Sequence, residues 1–206
     1  MGSKSTVAVV SYDPTWPVHF QQISEKLENY LSASSVNFSS IEHVGSTAVP
    51  GLAAKPNIDI IIVVPNARNA EKAKEVLMHE PPPEDYYKCI GDGGIMGRIS
   101  MKFQNRALIP DRSVYIVNEE DPKGKIIMRC HRDLRDTLKM PQHKVLRDAY
   151  GKLKFELAAS SLDLVEYGKK KDSMIRMILK VAGWSDTEID DKEALDYRIP
   201  DDEDPY

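Results

Sequence analysis

The chain has 206 residues, 41% of them hydrophobic, a formal net charge of −4 and two cysteines. That is enough for one domain with a real core and a short tail, while no apolar stretch approaches the ~20 residues of a membrane span. Cys89 and Cys130 have neither disulfide nor metal spacing, and no secretory signal is visible, so reduced thiols in a cytoplasmic monomer or weak dimer are expected.

Met1-Gly2-Ser3-Lys4-Ser5-Thr6 fits the N-myristoylation pattern, but equally fits chance. Asp13-Pro14 signals a helix start, and Phe20, Ile23, Leu27 and Leu31 recur at helical spacing, so a first helix is expected to reach about Ala33. Val36, Phe38 and Ile41 alternate in the β manner. The β-branched run Asn57–Val64 predicts a central strand buried on both faces, ended by Pro65-Asn66. Asn66–Glu80 reads as a helix with Ala70, Ala73 and Leu77 on its apolar side. Three further strands follow at Tyr86–Ile90, Gly97–Gln104 and Ser113–Asn118; the glycines of Gly91–Gly97 make a turn or lip between the first two. Beyond Lys125 the pattern is helical, with stops at Pro141 and at Gly183, a candidate C-cap. The class expected is α+β: a mixed sheet flanked by helices, with a helical C-terminal part. Residues 7–183 are expected to form one domain, and 184–206 an acidic, disordered tail.

The stretch from Ile41 to Ile62 concentrates the candidate chemistry. Gly45-Ser46 follows a strand and can present backbone N–H groups and a small hydroxyl to an anion, with Thr47 beside it. Asp59 arrives on the next strand, where a carboxylate can hold Mg²⁺, orient a hydroxyl or pair with a cation. Turn-forming glycines and a loop-capping aspartate are the plain alternative. Lys55 precedes the strand and can lean over the Gly-Ser turn. Arg98 and Lys102 share one strand face and can grip an anion. Arg135-Asp136 reads as an intramolecular ion pair. Lys154 and Lys171 each follow a tyrosine, Tyr150 and Tyr167, by one helical turn. Glu42 and His43 fall on opposite strand faces, so at most one can reach the cleft; His43 reads as a structural donor or as a base. Ten Lys and Arg residues lie between Pro122 and Lys154 against three Asp, a stretch suited to an anionic partner or simply a solvated face.

Tyr12–Pro17, His43–Ile60, Gly91–Arg98, Arg135–Lys139, Tyr150–Lys154 and Tyr167 with Lys171 together resemble the GrpB family over most of the chain. The resemblance implies a nucleotidyltransferase-like fold and makes Gly45, Ser46, Thr47, Lys55, Asp59, Arg98, Lys102, Arg135, Lys154, Tyr167 and Lys171 substrate-facing candidates. It does not fix a reaction. Two-metal transfer wants paired carboxylates on one strand face, and the partner position to Asp59 is Ile61, with no acid in Ser113–Val117 either. If a metal binds, Asp59 is its ligand.

Three functions are compatible with these residues. The preferred one follows a GrpB-like branch that resembles arginine-containing cyclodipeptide synthases of specialised metabolism. These join activated amino acids from aminoacyl-tRNA, so no cofactor is required. Asp59 or Glu42 would clamp the guanidinium, and Ser46 would receive an aminoacyl group or bind the ester carbonyl. The Asp-Asp-x-x-Glu motif associated with that branch is one residue short here, at Asp190-Asp191-Lys192-Glu193. The alternatives are a nucleotidyl- or phosphotransferase using ATP and Mg²⁺, and a non-catalytic nucleotide- or partner-binding module.

Overall fold

The computed structural model describes residues 8–105, 107, 110–160 and 164–197. Helix α1 spans Trp16–Ala33. The Asp13 carboxylate accepts from the Thr15 backbone N–H just ahead of it, so the Asp-Pro signal acts one turn upstream of the helix. Strand β1 (Ser40–Val44) leads through a 3-10 turn at Ser46–Ala48 into β2 (Asn57–Val64). Helix α2 covers Ala67–His79, with the Asn66 side chain accepting from the Asn69 backbone. Strands β3 (Tyr87–Cys89), β4 (Ile99–Phe103) and β5 (Asp111–Asn118) complete the sheet.

The strand order is β1-β2-β5-β4-β3. Only β2 and β5 run parallel; the other pairs are antiparallel. The β-branched run is an interior strand buried on both faces, as its composition predicts, although β5 takes the middle place. Ile58, Ile60, Ile62 and Val64 pack with Leu27 and Leu31 of α1 and Ala73 and Leu77 of α2. Ile61 and Val63 face the other way, into a cluster with Val44, Val117, Ile127 and Leu195. Each fully buried Ile or Leu contributes about 1.5–3 kcal/mol relative to exposure, so both layers hold the sheet.

On the second face lies α3 (Pro122–Lys139), and α4 (Lys144–Ala159), α5 (Leu164–Val181) and α6 (Asp186–Glu193) pack against α3. α3 starts at Pro122, earlier than periodicity predicts, because the Asp121 side chain caps it by accepting from the Lys123 N–H. Gly183, at φ +92°, ends α5: its N–H and that of Trp184 donate to the carbonyls of Lys180 and Leu179.

The acidic segment after residue 183 does not behave as a disordered tail as far as it is described. Ser185 and Glu188 form a reciprocal capping box at the start of α6. Trp184 and Ile189 pack with Cys130 and Leu179, and Leu195 enters the cluster beneath β2. The carboxylates find arginines on older elements: Glu188 pairs with Arg129, and Asp186, Asp190 and Glu193 with Arg176. The composition averages over three apolar anchors that a packed neighbour can use. Residues 198–206 lie outside the described residues, as does the myristoylation pattern at residues 1–6. Among the described residues, no helix is long and apolar enough to cross a membrane.

Candidate active site

The β1-to-β2 connection brings Gly45-Ser46 against Asp59. Gly45 sits at φ +69°, and a Cβ there would lie 2.5 Å from Asp59 Oδ2. Both the left-handed backbone and the carboxylate thus require glycine. Asp59 is registered between Val44 of β1 and Ser113 of β5, so the three side chains share the face covered by the C-terminal helices.

The Asp59 carboxylate accepts from the Asn57 amide at 2.9 Å and from the Tyr115 hydroxyl at 3.2 Å, both at Oδ1. Its surface is not fully closed. The packing around it is nevertheless dense enough that desolvation outweighs Tyr115, Lys171, Arg98 and Lys55, and its pKa rises to about 6. It is therefore mostly ionised at neutral pH, at a cost to the fold.

Behind the turn lies Lys154 of α4, only 2% exposed. Its Nζ donates to Ser46 Oγ at 2.5 Å and to the Ala53 carbonyl at 2.8 Å, and sits 4.1 Å from the centre of the Tyr150 ring. Burial, with Lys171 adding repulsion, drives its pKa well below that of an ordinary lysine. Gly151, in the same helix, faces Leu52 and Ala53, which a Cβ there would meet at an ordinary 3.7 Å. Lys171 rests on the ring of buried Tyr167 at 4.5 Å.

Several expected residues meet here: Gly45, Ser46, Asp59, Lys154 and Lys171, with Tyr167 as the ring beneath the last. Lys55, exposed, acts on Asp59 electrostatically. Arg98 lies over the Tyr115 ring at 4.2 Å, held by donation from its Nε to the Asp92 carbonyl. Lys102 is exposed on β4, opposite Ser113 in register.

Four expected residues take structural positions instead. Glu42 faces α3, where Arg132 and Arg135 hold both its oxygens and bring its pKa down to about 2 against the cost of burial. It is no free clamp for a substrate guanidinium. Arg135 is divided between Glu42, Asp136 and the His43 carbonyl, which realises the expected ion pair and removes it from the cleft. His43 points to the opposite face, stacked on Phe20 at 4.8 Å and bonded to Thr47 Oγ1 at 3.0 Å. Burial, then Lys139 and Arg135, lowers its pKa to about 4, so it is a neutral packing group. Thr47 is buried and donates to the Asn57 carbonyl, tying the turn to β2.

Three residues at the site escape motif reading. Asn57 and Tyr115 are legible in principle, since alternation puts each on the Asp59 face of its strand. His131 of α3 stacks on Tyr115 at 6.0 Å and is kept neutral, its pKa lowered to about 3 by burial, Arg98 and Lys192. Nothing local in the sequence announces it.

The position that would carry a second carboxylate is Ile61, sealed in the apolar cluster under α3. The neighbouring strand offers the Ser113 hydroxyl, bonded to the Asn57 side chain. Among the described residues, no group of three or more His, Cys, Asp or Glu side chains gathers as a metal site. One carboxylate with an amide and hydroxyls is a poor donor set for a two-metal centre.

A family model described as GrpB protein matches residues 6–181. The crystal structure of the conserved protein GrpB from Enterococcus faecalis is similar, with a TM-score of 0.68 and 26% identity over 85% of this chain and 96% of that one. The UPF0157 protein YqkA of Bacillus subtilis is 29% identical over 174 residues, which are 84% of this chain and 46% of its own. The UPF0157 protein BH1888 of Halalkalibacterium halodurans is 42% identical over 60 residues, 29% of each chain. The matches thus span less than half the length of these curated relatives.

Proposed function

The chain belongs to the GrpB family, and on that premise we propose that it is an aminoacyl-tRNA-dependent enzyme that joins arginine to a second amino acid as a cyclic dipeptide. One observation carries the reading. Among the described residues, no second carboxylate joins Asp59 on its face of β2: Ile61 sits in an apolar cluster and Ser113 lies alongside, while Lys55, Arg98 and Lys171 act on Asp59 electrostatically.

Such a site supports chemistry on a substrate that arrives already activated. An aminoacyl ester carries its own driving force and needs neither a nucleotide nor paired metals. The cations suit the phosphates at the end of a tRNA. Ionised Asp59 suits the ammonium or guanidinium of an arginyl group, a role that Glu42 is too fully paired to share.

The test is incubation of the protein with arginyl-tRNA and a set of other aminoacyl-tRNAs, followed by mass spectrometry of small products. A cyclic Arg-Xaa product is expected without ATP, insensitive to EDTA and to be lost on RNase treatment or in Asp59→Asn. ATP-dependent pyrophosphate release with no need for tRNA would replace this reading by nucleotidyl transfer. The absence of both activities would leave a binding module.

A further inference from the structure

We propose that Ser46 and Lys154 form a nucleophile–base dyad that holds the transferred acyl group as a seryl ester. The aminoacyl identity of the substrate rests on the function proposed above; the reactivity of the dyad does not, since any activated ester can report it.

The argument starts with where the two side chains lie. Ser46 opens the 3-10 turn and keeps part of its surface accessible, whereas Lys154 is buried behind it. A lysine kept only for its charge gains nothing from such a slot, because burial of an ammonium without a carboxylate in contact is costly. Its contacts are Ser46 Oγ, the Ala53 carbonyl and the face of Tyr150. The same contacts serve a neutral amine: one N–H stays on the Ala53 carbonyl, and the lone pair, turned to the Ser46 Oγ that Nζ now donates to, takes the Ser46 proton. The remaining groups that act on Lys154 are Lys171 of α5, which opposes its charge, and Asp59 of β2, which favours it. Tyr167 of α5 and Asp172 act on Tyr150 beside it. The balance leaves the pKa depressed, the condition under which a lysine serves as a base near neutral pH.

The step balances without a co-reactant. Ser46 Oγ attacks the ester carbonyl carbon, and its proton passes to Lys154 Nζ. The bond from that carbon to the ribose oxygen breaks, and Lys154 returns the proton to the departing oxygen. The products are a free tRNA hydroxyl and a seryl ester. The amine of the second aminoacyl group then attacks the seryl carbonyl, the amide forms, and the amine proton restores the Ser46 hydroxyl. The α-amine of the first residue next attacks the second ester carbonyl, the ring closes, and its proton leaves with the ribose oxygen of the second tRNA.

The test uses the full chain and a fluorophosphonate probe, with no tRNA present. Peptide mass spectrometry is expected to find the label on Ser46, with labelling absent in Ser46→Ala and slowed at least about 100-fold in Lys154→Met. In the unmodified protein, the labelling rate should rise with pH and level off well below the ordinary lysine pKa. This second readout stands even if Lys154→Met fails to fold. A label elsewhere, a rate indifferent to Lys154, or a rate still climbing at pH 10 would overturn the dyad. So would cyclic-dipeptide formation by Ser46→Ala, which would leave the proposed function standing. Labelling of Ser46 without any tRNA-dependent product would instead keep the dyad and sink the substrate.

Discussion

Asp59 is held as a carboxylate whose ionisation works against the fold. Its pKa is raised from 3.8 to about 6, so the folded chain binds this proton more tightly than the unfolded one. The resulting stabilisation is complete below the unfolded value and is lost as pH rises through about 6. The amount is of order 1–3 kcal/mol. Asp59→Asn is therefore expected to melt several degrees higher than the unmodified protein at pH 8, with the gain vanishing at pH 4, while product formation is lost at both. Thermal melts at the two pH values check this, and an unchanged or lower melting temperature at pH 8 would contradict it. The site residues were unequally legible. Gly45, Ser46 and Asp59 belong to one short stretch, and alternation correctly separated Glu42 from His43. That Glu42 would be spent on Arg132 and Arg135, some 90 residues away, is a matter of where α3 lands.

At the scale of elements, α6 and the turn that follows it, with a single β-bridge from Asp196 to Ile95, close over the glycine-rich lip. The Met96 N–H donates to the Leu195 carbonyl and the Tyr197 N–H to that of Gly94, while the Tyr197 hydroxyl donates to the Asp92 carboxylate at 2.5 Å and 2.6 Å. The glycine-rich lip is thereby fastened, and with it Arg98, whose Nε is held by the Asp92 carbonyl. Cys130, buried with Trp184 and Ile189, has its pKa pushed up to about 11 by burial. Deletion of residues 184–206 is expected to expose Cys130, so that a chromogenic disulfide reagent titrates two fast thiols rather than the half-buried Cys89 alone. A single fast thiol in the truncated protein would show that α6 is dispensable to this face. The acidic composition concealed this element because net charge says nothing about which carboxylates will meet an arginine.

For the whole molecule, the placement of charge bears on how a tRNA would be held. In the basic stretch around α3 and α4, Arg129, Arg132 and Arg135 meet carboxylates of other elements and Arg147 donates to the Leu138 carbonyl, while Lys144 and Lys152 make exposed pairs one turn along α4. Under the proposed function, phosphate contacts would fall to the cations that act on Asp59. Replacing Lys55 and Arg98 by alanine is expected to weaken tRNA binding about 10-fold or more and to flatten the salt dependence of the affinity. The same change at Lys144 and Lys152 should do neither, and the reverse ranking in a filter-binding assay would return the RNA to the helical face. The sequence by itself determined the mixed sheet, the buried run of β2 and the glycine–serine–aspartate stretch, because strand periodicity and turn chemistry are written in neighbouring residues. Only the tertiary structure decided that Lys154 reaches Ser46, that His131 covers Tyr115 and that the C-terminal segment locks the lip. Those contacts join residues from 16 to more than 100 positions apart, and the packing of helices on the sheet, not any local pattern, sets them.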